Sequence, residues 1–120
     1  MAWTKSPMSL VGLFDEALPD DPRIARRKMF GYPAAFVNGH MFTGLFQDDF
    51  FVRLSPADHV AFTAAFGPRP FEPMPGRPMK AYACLPEEVL DDPEIRGAWI
   101  ARSLAFTAAL PPKVAKAKKA

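Results

Sequence analysis

The run Lys28 to Leu54, KMFGYPAAFVNGHMFTGLFQDDFFVRL, constrains the fold of this chain more than any other segment. Two turn signals, Asn38-Gly39 and Gln47-Asp48-Asp49, cut it into three short apolar stretches. Asn-Gly between hydrophobic segments is the strongest short-range hairpin signal, because both positions tolerate the positive φ that a tight turn needs. Ala34–Val37 and Met41–Phe46 therefore read as its two arms, and Lys28-Met29-Phe30-Gly31 as the start of the sheet. The short polar turn before Phe50–Leu54 forces that strand to return antiparallel. Gly44, inside an arm, predicts a bulge or a close backbone approach.

Helical signals flank this meander. Ser6-Pro7 reads as a cap with Pro at the first helical position, and Leu10, Leu13, Phe14 and Leu18 form one apolar stripe ending before Pro19. Arg23–Lys28 is basic, either a short helical turn or the approach to a strand. Ser55-Pro56-Ala57-Asp58 starts a second helix, with Val60, Phe62, Thr63 and Phe66 following and Gly67 closing it. After a Pro-rich connection, Met74–Pro78 reads as a turn and Met79–Leu85 as a strand. Asp92-Pro93-Glu94 repeats the cap-Pro-acid device and starts the longest helix, which carries Ile95, Trp99, Leu104, Phe106 and Leu110 and stops at Pro111-Pro112. The order predicts a two-layer α+β domain: an antiparallel sheet of about five to six strands, one side buried under flanking helices.

With 120 residues, 49% hydrophobic and 23% charged, the chain has enough material for one core without disulfides or metals. We read residues 1–110 as the domain and 111–120 as a basic, disordered tail. The net charge of +2 is uneven: without Lys113, Lys116, Lys118 and Lys119, eleven Lys and Arg face thirteen Asp and Glu. The basic balance thus belongs to the tail, which argues against a strongly basic folded surface. The single cysteine, Cys84, excludes an internal disulfide. The N-terminal stretch lacks the charged and apolar regions of a signal peptide, and no segment has the length of a membrane span. The expected location is the cytoplasm.

The motifs of common chemistries are missing. One Cys and two separated histidines, His40 and His59, do not make a zinc site, and no Gly-rich phosphate loop or nucleophile elbow occurs. We expect no metal and no cofactor. Cys84, in Ala81–Leu85, reads as an inert buried thiol; His40 reads as an exposed loop end and His59 as a surface residue of the second helix. The acid pairs Asp20-Asp21, Asp48-Asp49, Glu87-Glu88 and Asp91-Asp92 have a plain use in turns and caps. The cations Arg26, Arg27, Lys28, Arg53, Arg77 and Lys80 form an anion-binding patch beside Tyr82 if the sheet gathers them; the plainer reading is a solvated surface.

Arg27-Lys28-Met29-Phe30-Gly31, Phe36-Val37-Asn38-Gly39 with Met41-Phe42, and Asp49 with Phe51–Leu54 resemble the N-terminal domain of the TfoX/Sxy family. Later elements agree in order: Phe71 after a Gly-ended helix, a strand bearing Tyr82, Pro86, and Leu90-Asp91-Asp92 before a helix with Trp99. The resemblance covers roughly residues 8–110 and departs at Gly31-Tyr32-Pro33-Ala34, where the family often has Gly-Gly or Gly-Tyr-Gly. It implies a secretion-chaperone-like α+β fold. It also implies kinship with bacterial regulators of competence genes, which look like co-activators of a cyclic-AMP-responsive transcription factor and carry a second, DNA-binding-like domain. It supplies no catalytic residues.

The leading expectation is a non-enzymatic regulatory or protein-interaction module with a protein partner or a second copy of itself. Nucleic-acid contact through Arg26-Arg27-Lys28 and the four tail lysines is the alternative, and a small-ligand site near Arg77, Lys80 and Tyr82 is the third.

Overall fold

The computed structural model describes residues 8–29, 31–72, 76 and 79–111. The Ser6-Pro7 start, Phe30, Arg77 and the lysines of the tail lie outside the described residues. The elements run α1 (Met8–Ala17), β1 (Ala25–Met29), β2 (Tyr32–Val37), β3 (His40–Phe46), β4 (Asp49–Arg53), α2 (Pro56–Phe66), β5 (Tyr82–Cys84), α3 (Glu87–Leu90) and α4 (Pro93–Ala108). The five strands pair antiparallel in the order β1-β2-β3-β4-β5. This is the α+β domain that the turn signals predict.

Local chemistry sets the elements. Asn38 and Gly39 take φ values of 54° and 81°, as an Asn-Gly hairpin turn requires. Ser55 Oγ accepts from the Asp58 amide at 3.1 Å, and Pro56 opens α2. The Asp92 carboxylate accepts from the amides of Glu94 and Ile95, at 3.0 and 3.2 Å, at the start of α4.

Several boundaries differ from the sequence reading. Of the two readings of Arg23–Lys28, the approach to a strand holds and the helical turn does not: β1 begins at Ala25, which pairs with Phe36. The six-residue β2 offers a longer template than the apolar pattern revealed, and cations at a sheet edge remain in water. Asp21 sets the approach by accepting from the Arg23 amide and guanidinium, which holds its pKa down at about 2. The last strand covers only Tyr82–Cys84, not Met79–Leu85. Met79 instead donates to the Phe71 carbonyl and Tyr82 to the Met79 carbonyl, so the chain turns there. Glu87-Glu88 opens the short α3, whose Val89 is fully buried.

Both faces of the sheet are buried, where one was expected. On the helix side Phe14, Val37, Phe42, Leu45, Phe50, Val52, Phe62, Val89, Ile100 and Leu104 form one cluster. On the other side Tyr32, Ala34, Met41, Phe46, Phe51, Phe71 and Tyr82 form a second. A bulge divides residues between the two. The register shifts between Ala35 and Phe36, which pair with Thr43 and Met41, so Phe42 is the extra residue. Met41 and Phe46 then belong to the second cluster while Phe42 and Leu45 belong to the first.

Carbonyls around the bulge are captured from both sides. Tyr82 Oη donates to the Met41 carbonyl and Ser103 Oγ to the Phe42 carbonyl, each at 2.8 Å. Thr43 Oγ1 donates to the Phe51 carbonyl at 2.7 Å. The core face of α4 is therefore partly polar: Arg96, Ser103 and Thr107 are buried beside Ile100 and Leu104, while Ile95 is 39% exposed. Among the described residues no helix is long and apolar enough to cross a membrane.

Candidate functional site

The sheet order separates the cations. Arg26, Arg27 and Lys28 stand on β1, whereas Arg53 and Tyr82 pair across β4 and β5 at the other side of the sheet. Among the described residues, Arg26, Arg27 and Lys28 are therefore not gathered with Arg53 beside Tyr82. Arg26 Nη1 donates to Asp15 of α1 at 2.8 Å, and the Arg27 guanidinium lies 5.4 Å from the Phe36 ring centre. Arg53 is held between two rings, 6.0 Å from Tyr82 and 6.0 Å from Phe106. Its Nε is buried with no hydrogen-bond partner among the described residues. Burial raises the Tyr82 hydroxyl pKa, and the Arg53 charge opposes that rise.

What the fold does assemble is a cleft of about 320 Å³ between α2 and the connection to β5, lined by His59, Thr63, Arg69, Met79, Lys80 and Tyr82 among others. Three parts of the chain meet here. The Ser55 cap and Pro56 set the rotation of α2, which turns His59 and Thr63 toward the connection. Gly67, at φ 83°, ends the helix and lets Pro68–Pro70 double back along β5. The turn at Met79–Tyr82 then delivers Lys80 to the same opening. A shallow surface formed by His59, Val60, Thr63 and Ala64 adjoins it on α2, and Val60 is 71% exposed. The arrangement joins an apolar helix surface to the basic groups of Arg69 and Lys80. It suits a partner that is both apolar and anionic.

Of the residues expected to act, Lys80 and Tyr82 reach this cleft, and the Tyr82 hydroxyl is already committed to Met41. His59, Thr63 and Arg69 were missed as neighbours of Lys80. Only the i, i+4 spacing of His59 and Thr63 on a helix and the Gly67-Pro68 break before Arg69 hinted at it, since the doubling back depends on pairing with β5. His40 is not a free loop end: its Nε2 lies 2.8 Å from the Pro111 carbonyl oxygen. Cys84 is half-buried, with Sγ directed at the Pro70 carbonyl at 3.7 Å. Burial pushes its thiol up to about 12; the Asp49 charge adds to this and Arg69 opposes it. Such a thiol is a poor nucleophile. Among the described residues no three of His, Cys, Asp and Glu gather as metal ligands.

An open five-stranded antiparallel meander, backed by helices on one face and an aromatic cluster on the other, defines the class: an α+β domain. The chain belongs to the TfoX N-terminal domain family, whose model matches residues 16–107. No curated protein matches it.

Proposed function

We propose that this domain is a non-enzymatic regulatory module that works by binding a protein partner at the α2 cleft. One observation carries the reading: Val60 stands 71% exposed on α2, continuous with the cleft that holds Arg69 and Lys80. Large apolar side chains beside a concave basic surface are what a partner buries. Family membership supports the reading, and so does the Cys84 thiol, which is tuned away from reactivity. The partner is a regulatory protein or a second copy of this chain, in the cytoplasm.

The test compares the full chain with Val60→Glu and Lys80→Glu variants by affinity capture from native lysate and by sedimentation. The expected result is a partner, or a dimer, retained by the parent chain and lost from both variants. Equal retention by all three, or none by the parent chain, rejects the α2 cleft as the docking surface.

A second reading takes the same cleft as a small-ligand site, favoured by its volume of about 320 Å³ and its two cations, Arg69 and Lys80. A rise in melting temperature with small aromatic carboxylates, abolished by Lys80→Glu, supports that reading instead.

A further inference from the structure

The two edges of the sheet are finished differently. At β5 the α2–β5 connection covers the edge: the Cys84 amide donates to the Arg69 carbonyl at 2.9 Å, and Pro70 bridges Ala83. At β1 the only strand partner among the described residues is β2, and Ala25, Arg26, Arg27 and Lys28 are all exposed. Beside this edge an open, shallow cavity of about 260 Å³ lies between α1 and β1, lined by Phe14, Asp15, Arg26, Arg27, Lys28 and Pro33 among others. Phe14 is otherwise buried, at 1% exposure, so the cavity leads to core material.

We propose that the outer edge of β1 accepts an extended acidic segment of a partner protein as an added strand, with an apolar side chain of that segment entering the α1–β1 cavity. Strand addition draws affinity from unpaired main-chain groups and specificity from pockets that receive alternate side chains. Among the described residues both features occur together here. The charge selects the occupant. Three consecutive cations, Arg26, Arg27 and Lys28, face one neighbouring acid, Asp15. Opposite charges directly across two strands attract, and like charges repel, so an acidic strand is favoured over a neutral or basic one.

A nucleic acid fits the same observations less well. Phosphates would leave the peptide edge unused, whereas a strand pairs with it. The edge lies across the sheet from the α2 cleft.

The experiment titrates the full chain into a fluorescein-labelled peptide of alternating Glu and Val and follows anisotropy at about 0.1 M salt, where surface charges are partly screened. Parallel titrations use the same peptide N-methylated at every second residue and a single-stranded oligonucleotide of equal charge. Hydrogen exchange locates the contact. The expected result is saturable peptide binding that slows exchange within Ala25–Met29. N-methylation should weaken it about tenfold or more, since each lost main-chain bond is worth up to about 1.5 kcal/mol. Arg27→Glu with Lys28→Glu should weaken it further. The N-methyl comparison uses the unaltered protein, so it stands even if that variant misfolds. The proposal is overturned if the N-methylated peptide binds equally well, if protection appears elsewhere, if only the oligonucleotide binds, or if nothing binds and the cations merely blunt the edge.

Discussion

Single positions show how tightly the sheet is packed on its second face. A Cβ built on Gly44 meets Phe51 Cζ at 2.7 Å and Ala34 Cβ at 3.3 Å. Phe51 cannot retreat, because it is fully buried and stacked on Phe71 with ring centres 4.0 Å apart. Gly44→Ala should therefore cost about 1–3 kcal/mol, read as a lower denaturant midpoint with an unchanged slope. Gly44 was legible in the sequence as a close approach, but the atom it approaches was not. Cys84 makes a chemical prediction. With its pKa raised from 9.0 to about 12, it should hold on the order of a thousandfold less thiolate near neutral pH than an ordinary thiol. Alkylation of the native chain should be correspondingly slow and should recover in denaturant. The sign for stability follows from linkage. Between about 9 and 12 the unfolded thiol has lost its proton and the folded one has kept it, so stability falls as pH rises through that window. Rapid native alkylation at pH 8 would contradict the buried environment assigned to it.

Elements form where short-range chemistry and packing agree. Ser55 and Asp92 each satisfy amides at a helix start, and both were readable from the cap-Pro-acid pattern. Asp92→Ala should cost about 1 kcal/mol, and Asp92→Asn much less, because Asn retains a capping oxygen. Thermal melts of the two variants separate capping from a general effect of lost charge. Asn38 has a second use beyond its positive φ: its side-chain amide donates to the Ala108 carbonyl at 2.8 Å and ties the hairpin to the end of α4. The meander, α2 and α4 were legible because their turns and caps act within a few residues, and α1 because its apolar residues fall on one stripe. β1 was not, because Ala-Arg-Arg-Lys has no apolar alternation; the strand exists because β2 supplies a ladder. The polar stripe of α4 was equally hidden, since Ser103 is useful only where the bulge exposes the Phe42 carbonyl.

At the scale of the molecule, one sheet serves two apolar clusters, so neither can unfold without the other losing its support. Phe71→Ala in the second cluster should cost about 3–5 kcal/mol, as for other fully buried aromatics. Unfolding should nevertheless stay a single transition. Tryptophan fluorescence, which includes Trp99 packed on Phe62 in the helix layer, should coincide with far-UV circular dichroism in urea. Two separated transitions would show that the clusters are independent. The candidate site belongs to this scale too. The sequence identified Lys80 and Tyr82 as interesting, yet it grouped them with Arg26–Lys28, which the strand order sends to the far edge. From residues alone came the strand count to within one, the hairpins, the helix starts and the family likeness, all products of local backbone preference and hydrophobic spacing. Tertiary structure alone decided that both faces of the sheet are covered, which cations meet His59 at the α2 cleft, and which edge is left open. These depend on register and strand order, and both are set by contacts between residues far apart in the chain.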